Sequence, residues 1–289
     1  ASYFLMVTVK KATVKDVDKL LPLLFELDSI NQTHEEWERL FKLHWDDSQN
    51  YFGYVMYDGD TAVGFLGLLF SRRVVNDKPN KFCNITSWIV KKEYRRQSLH
   101  LLLPVLELDN HTITVLTCNP GTYFITKKLG FSDFEVGQRV IFPLPFLPKS
   151  TPSINIIFDH SEIEKLLKEE TLKKYHDHRN LNCFHILICG PKDICYLVGA
   201  RTNKKNIPLV HIHYISDHRV FLSYVSVVSG RLCWQAKVAG LLVDERLLQG
   251  ETIFPSIHFS LPNPRVYKSD TLKSKDIDLL YSEYQILNL

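Results

Sequence analysis

The feature that most constrains this fold is an apolar strand that leads through a short basic turn into an apolar helix. Residues Phe82–Val90 are rich in β-branched and aromatic side chains, a composition that predicts a buried strand. Residues Leu99–Leu108 predict a largely apolar helix. Amides at a helix start lack partners within the helix, the helix dipole is positive there, and Arg95 and Arg96 add two cations. The turn is therefore either a phosphate or pyrophosphate site or an ordinary basic turn with nothing bound.

The residues around this turn resemble a known motif. The string from Val90 to His100 is similar to the acyl-coenzyme A motif of the GCN5-related N-acetyltransferases (GNAT), which reads V-x-P-x-Y-R-x-x-G-x-G/A. The matching positions are Val90, Tyr94 and Arg95. The departures are Lys92 at the family's proline and Ser98 and His100 at its two small positions.

A second block supports the same resemblance. Residues 119–131 resemble the pattern N…A…lYeklGF that ends the family's conserved sequence. Asn119 and the Leu129-Gly130-Phe131 triplet match it at the expected separation. A predicted strand, Thr112–Cys118, lies between the two blocks. The resemblance covers about the first half of the chain.

The resemblance implies acetyl-coenzyme A as a co-substrate. The strand before the turn would pair its backbone with the pantetheine arm, and the amides of the turn would hold the pyrophosphate. The residues that this predicts to bind the coenzyme are Trp88, Ile89, Val90, Arg95, Arg96, Gln97, Ser98, Leu99, His100 and Asn119.

The resemblance also places the catalytic candidates. Thr126 stands where the family has the tyrosine that protonates the leaving thiolate, and a threonine hydroxyl is far less acidic than a phenol. Tyr123 lies one helical turn earlier, where it either substitutes as the proton donor or packs structurally. No Asp, Glu or His occurs in Phe82–Val90 to serve as a base. The candidates are Glu93 in the turn, residues of the Tyr51–Phe70 hairpin or the early helices, and a water relay.

The chain is long enough for two domains. Periodicity predicts the order β-α-α-β-β-β-α-β-α for the first half, with a turn at Asn76–Asn80. The segment Phe142–Pro152 carries four prolines and predicts a linker between residues 1–141 and 153–289.

The second half predicts the order β-α-β-β-β-α-β, with one helix over Ser161–Tyr175. This order resembles the first half, but no Arg-x-x-Gly-like turn follows Ile215. We therefore predict an α/β (α+β) fold with a GNAT-like mixed central sheet flanked by helices, and a second GNAT-like domain without motifs. The end of the chain, Asp276–Leu289, predicts a short helix or a helical turn that runs into a strand.

Composition narrows the function. The net charge of +3 argues against a nucleic-acid partner, and no apolar run reaches the roughly 18–20 residues of a membrane span. The six cysteines occur singly in apolar runs, which predicts reduced thiols in a cytoplasmic protein. His211 and His213 share a strand face at a chelating spacing, but with no carboxylate or cysteine at a matched spacing we predict no metal site.

Two function classes remain. The first is an N-acyltransferase that moves an acetyl group from acetyl-coenzyme A to an amine of a small metabolite or amino-sugar. The second is a non-catalytic coenzyme-binding or interaction protein built on a degenerate GNAT fold. We favour the enzyme because two blocks of the sequence resemble the family's motifs. The sequence indicates neither the acceptor nor the oligomeric state.

Overall fold

Strands outnumber helices in the computed structural model, which describes residues 6–26, 32–43, 45–144 and 154–287. The strands are β1 Val7–Lys11, β2 Gly53–Asp58, β3 Thr61–Val75, β4 Lys78–Val90, β5 His111–Val115, β6 Ser132–Ile141, β7 Asn155–Ile157, β8 Phe184–Cys189, β9 Ile194–Lys204, β10 Ile207–Ile215, β11 Gly240–Asp244 and β12 Ser256–Lys268. The helices are α1 Val17–Leu24, α2 His34–Lys42, α3 Leu99–Leu106, α4 Pro120–Lys128, α5 His160–Leu166, α6 Glu169–His178, α7 His218–Ala236 and α8 Glu283–Ile286. No helix in these ranges combines the length and apolar character that a membrane span requires.

The chain divides into two units whose bounds differ from the predicted ranges 1–141 and 153–289. The first unit comprises Ala1–Ser132, Arg265–Lys273 and Tyr281–Leu289, and the second comprises Asp133–Pro264 and Ser274–Leu280. Strand β6 therefore belongs to the second unit, and the end of β12 belongs to the first. Sequence order could not show this, because it depends on which strands pair. Of the predicted linker Phe142–Pro152, only residues 142–144 lie within the described residues.

The sheet of the first unit has the order β1-β2-β3-β4-β5, and the end of β12 follows β5. Its pairs are antiparallel except β4 with β5, where Lys81–Ile85 run parallel to His111–Val115. Residues Val266–Lys268 of β12 pair antiparallel with β5. Helix α3 makes the crossover that a parallel pair requires.

A β-bulge in β4 changes which side chains face each side of the sheet. Cys83 and Ile85 pack with α3 on one side, which we call the α3 face. Ser87 adopts a left-handed φ of 50°, and the register with β3 shifts beside it. As a result, Ile89 packs on the other side with Leu20 and Trp37 of α1 and α2, which we call the α2 face.

Strands β4 and β5 stop pairing before β4 ends. Their parallel ladder stops at Ile85 and Val115, whereas β4 continues to Val90. Because β3 pairs with β4 as far as Val90, only the β5-facing edge of the last residues of β4 is left for another partner. Beyond Ile85 and Val115 the two strands are no longer paired, and we call the space between them the β4/β5 cleft.

The second unit has the sheet order β6-β11-β10-β9-β8-β7. Its parallel pair is β10 with β11, matching Leu209–His211 to Gly240–Leu242, and α7 makes the crossover. Strand β10 carries a register shift between Ile212 and Tyr214. The parallel pair, the crossover helix and the bulge therefore recur in the same order as in the first unit.

Several predicted elements needed correction. The single helix predicted over Ser161–Tyr175 is two helices, because Leu167 is extended and Glu169 has a left-handed φ of 47°. The predicted turn Asn76–Asn80 is shorter, since β4 begins at Lys78. Strands β6 and β12 were missed; in β12 the prolines Pro262 and Pro264 hide the strand pattern.

Candidate coenzyme and acyl-transfer site

The basic turn after β4 is a regular and anchored segment. Residues Lys92–Gln97 form a 3-10 helix. The half-buried Tyr94 packs against the α3 face and donates a hydrogen bond of 2.5 Å to the carboxylate of Asp58. The family-matching tyrosine therefore fastens the turn to the sheet.

The helix start beyond the turn is open on its polar side. Ser98 at the N-cap of α3 makes no side-chain cap hydrogen bond. Arg95 and Arg96 are both exposed beside it. An uncapped helix start next to two guanidinium groups favours an anion, because the amide dipoles and the fixed charges act together.

The amides of the turn are not all available to a ligand. The Ser98 amide donates to the carbonyl of Arg95 at 3.2 Å, and the Leu101 amide donates to the carbonyl of Ser98 at 3.2 Å. Gln97 and Ser98 are half-buried, whereas Leu99 and His100 are exposed. Of the predicted pyrophosphate ligands, the arginine side chains and the exposed helix start are the most accessible.

Helix α3 is held firmly against the sheet. Leu101, Leu102 and Val105 are fully buried in the α3 face. Gly64 on β3 permits this contact, since a Cβ there would lie 3.3 Å from Leu101 and 3.2 Å from Val90. The helix start is thereby fixed at the end of β4, beside the diverging strands.

Trp88, Ile89 and Val90 form the edge of the cleft. Ile89 is buried, and the other two side chains are half-buried. Phe65 and Gly64 of β3 pair with Ile89 and Val90. An extended ligand could therefore pair only with the other edge, where a pantetheine arm would have to lie.

The candidate proton donors lie on α4, which begins at Pro120. Asn119 caps this helix, its side-chain oxygen accepting from the Thr122 amide at 2.8 Å. Thr126 is buried, and its hydroxyl lies 2.9 Å from the carbonyl of Thr122 and 3.0 Å from that of Tyr123. Because this hydroxyl bonds its own helix, the geometry counts against Thr126 as a proton donor. Tyr123 is half-buried beside the α3 face, and its role stays a prediction.

The sequence analysis missed a buried carboxylate at the end of β5. Glu283 of α8 is fully buried, and its Oε1 accepts a hydrogen bond of 2.9 Å from the hydroxyl of Thr117. Burial raises the pKa of this carboxyl to about 7, although Thr117, Arg265 and Asn84 oppose the shift. No sequence pattern signals the pair, because 166 positions separate its members.

The equivalent helix start in the second unit has different chemistry. Asp217 caps α7, its carboxylate accepting from the Val220 amide at 3.0 Å. A carboxylate already occupies the place where an anion would approach the helix. Arg219 follows in the first turn of α7, but no Arg-x-x-Gly-like string occurs there.

The histidine pair lies in a buried polar network of the second unit. The rings of His211 and His213 meet edge to face, with centroids 4.7 Å apart. A carboxylate that is distant in sequence lies beside them: Asp244 is 3.2 Å from His211 Nε2 and accepts from Gln138 at 3.1 Å. In the described part of the chain, no group of three or more His, Cys, Asp or Glu could hold a metal.

The cysteines are unpaired thiols. All six are free. Cys118 lies just after β5, and burial raises the pKa of its thiol to about 12. A thiol in that state is neutral near pH 7 and is a poor nucleophile.

Comparison with known proteins decides the family. A model of the acetyltransferase (GNAT) family matches residues 18–99, which contain the strand and the basic turn. Residues 18–99 of the chain belong to the acetyltransferase (GNAT) family. Members of this family use acetyl- or acyl-coenzyme A. No curated protein sequence is similar enough to the chain to count as a match.

Solved structures share the fold over nearly the whole chain. A putative acetyltransferase from Pyrococcus horikoshii is 16% identical with a TM-score of 0.55, covering 97% of this chain and 97% of its own. A probable N-acyltransferase from Enterococcus faecalis is 11% identical with a TM-score of 0.60, covering 93% and 74%. N-myristoyltransferase of Saccharomyces cerevisiae, solved with myristoyl-coenzyme A, is 10% identical with a TM-score of 0.51, covering 95% and 83%. The predicted mixed sheet flanked by helices is confirmed.

Proposed function

We propose that this protein is an N-acyltransferase that transfers an acetyl group from acetyl-coenzyme A to the amine of a small acceptor, such as a metabolite or an amino-sugar. The observation that carries the proposal is the uncapped start of α3, flanked by Arg95 and Arg96, at the mouth of the β4/β5 cleft. An anion site and an unpaired strand edge in one place match a coenzyme that has both a pyrophosphate and an amide-containing arm.

In this proposal the two halves of the coenzyme bind different groups. The pyrophosphate lies against Arg95, Arg96 and the start of α3. The pantetheine arm runs along the edge of Trp88–Val90. This route directs the thioester into the cleft between the diverging strands, where an amine can attack it.

The second unit is proposed to be a degenerate GNAT repeat without a coenzyme site. Its element order and its bulged β10 support the repeat. The Asp217 cap on α7 supports the empty site, because a pyrophosphate would meet a carboxylate there. We also propose a cytoplasmic location, since six free thiols suit a reducing compartment.

Coenzyme binding is tested by calorimetry on Arg95→Glu. Charge reversal beside a pyrophosphate should weaken coenzyme A binding by more than about tenfold. Lys192→Glu makes the same charge change at an exposed position of the second unit and should leave binding unchanged. If the folded Arg95→Glu protein and the wild type bind coenzyme A with equal affinity, the proposed site is refuted. If two coenzyme molecules bind per chain, the proposal that the second unit has no coenzyme site is refuted.

Turnover separates the proposed enzyme from a non-catalytic coenzyme-binding protein. One observation favours the non-catalytic protein. The hydroxyl of Thr126, at the family's proton-donor position, donates to carbonyls of its own helix instead of facing a ligand. Thiol release from acetyl-coenzyme A should rise above background with at least one amine among glucosamine, amino acids and spermidine. Coenzyme binding without turnover on this panel would support the non-catalytic protein instead.

A further inference from the structure

The ends of β4 and β5 that border the cleft carry no proton acceptor for the amine. Strand β4 carries no Asp, Glu or His, and Glu93 is exposed on the turn. The buried carboxylate of Glu283 lies instead beside the segment that follows β5, where the parallel ladder has ended. Neither the packing of the fold nor the proposed coenzyme site gives a reason for burying the carboxylate of Glu283 here.

The end of the chain is built to hold Glu283 in place. The Ser282 amide donates to the side chain of Gln285 at 3.0 Å, which completes a capping box at the start of α8. Ile286 and Leu287 are buried in the α2 face. The ring of Tyr281 meets Trp45 edge to face at 5.3 Å. Apolar contacts on both sides of Glu283 thus offset the cost of burying it.

Glu283 is hydrogen-bonded to a residue at the protein surface. Thr117 is exposed, yet its hydroxyl donates to the buried Glu283 Oε1. A second hydroxyl, that of Tyr284, donates to the Leu116 carbonyl at 3.1 Å and fastens α8 to the same segment. A hydroxyl of an exposed residue is therefore hydrogen-bonded to a buried carboxylate.

The charged and titratable groups that act on Glu283 come from two neighbouring elements. Arg265 of β12 is buried, and its charge favours the ionised carboxylate. The thiol of Cys118, after β5, is kept neutral by burial. With burial opposing the arginine, the pKa of Glu283 lies at about 7, where a carboxylate can both accept and release a proton.

We infer that Thr117 is a catalytic residue that takes the proton of the acceptor amine while passing its own proton to Glu283. The inference rests on the proposed function. Thr117 would touch the amine, and Glu283 acts through Thr117 as a positioning residue that receives the proton. The acceptor this suits is a primary amine that enters from the end of β5.

The proposed step balances in protons and electrons. An ammonium N–H proton moves to Thr117 Oγ1 as the hydroxyl proton moves to Glu283 Oε1, which frees the nitrogen lone pair. The lone pair forms the C–N bond, the C–S bond breaks with its electron pair on sulfur, and the nitrogen loses its second proton to water. The thiolate takes a proton from water, and Glu283 returns its proton to solvent through Thr117.

The test is the pH dependence of turnover in Glu283→Gln. In the wild type, turnover should rise with pH and level off near the pKa of Glu283. In Glu283→Gln, turnover at pH 8 should fall by about 10- to 100-fold, and this rise should disappear. Calorimetry should give an unchanged affinity for coenzyme A. Glu107→Gln, at an exposed residue after α3, should keep the wild-type profile.

Substitutions of Thr117 keep the inference testable if Glu283→Gln does not fold. Thr117→Val removes the relay at an exposed site and should lower turnover as Glu283→Gln does, whereas Thr117→Ser should restore it. Glucosamine is the first acceptor, followed by the other amines of the panel. A wild-type profile in folded Thr117→Val or Glu283→Gln overturns the relay and leaves the proposed function standing. If the wild-type protein binds no coenzyme and acetylates no amine of the panel, the proposed function is wrong, and the relay is wrong with it.

Discussion

Glu283 should make the first unit lose stability as the pH rises. Its folded-state pKa is about 7, against 4.5 for an unperturbed glutamate. Below about pH 4.5 the carboxyl is protonated in both states and contributes no pH dependence. Between about pH 4.5 and 7 the unfolded chain ionises while the folded chain keeps its proton, so the free energy of unfolding falls.

The size of the effect follows from the pKa difference. A change of one pKa unit corresponds to about 1.4 kcal/mol, so the loss is about 3 kcal/mol by the time both states are ionised. The amide of Glu283→Gln cannot ionise, and its oxygen can still accept from Thr117. Relative to this variant, the wild type should therefore lose about 3 kcal/mol between about pH 4.5 and 7.5.

The four tryptophans of the chain allow the first unit to be observed alone. Trp37, Trp45 and Trp88 belong to the first unit, whereas Trp234 belongs to the second and is 85% exposed. In a Trp234→Phe background, fluorescence during urea unfolding then reports the first unit. The measurement is the difference in free energy of unfolding, at each pH, between this background with and without Glu283→Gln, which cancels the other titrating groups.

A pH-independent difference would refute the reasoning. It would mean that Glu283 titrates alike in the folded and unfolded chain, so its burial would have no electrostatic cost. Glu107→Gln in the same background serves as the control, because it makes the same substitution at an exposed side chain of the first unit.

Three further substitutions probe the remaining sites. Tyr123→Phe should lower turnover by about 10- to 1000-fold with coenzyme affinity unchanged, since a general acid is lost; full activity in steady-state kinetics would exclude that role. Thr126→Tyr, which restores the family residue, should destabilise the first unit by about 1–3 kcal/mol in urea unfolding, because the site is buried and filled; wild-type stability with increased turnover would show that the family geometry is recoverable. Asp217→Ala should lower the stability of the second unit by about 1 kcal/mol through the lost cap, whereas Asp217→Asn should not; equal loss in both would indicate a charge effect.

Features set by neighbouring residues were predictable from the sequence alone. The strand, the basic turn and the helix around Arg95 all appear where predicted. Each depends on residues a few positions apart, so a pattern of polar, apolar and proline residues determines it. The GNAT resemblance was visible for the same reason, since each of its two blocks is a short string of neighbouring residues.

Features set by pairing between distant segments were decided by the tertiary structure. The sequence did not show that β6 belongs with the second unit or that the end of the chain returns to the first. It did not bring Asp244 to His211 or Glu283 to Thr117, contacts across 33 and 166 positions. Strand partners and buried polar contacts depend on which distant surfaces pack together. The local periodicity of the sequence does not determine that packing. The ionisation of Glu283 depends in turn on the burial that those contacts create, because only a side chain removed from water has its pKa raised in this way.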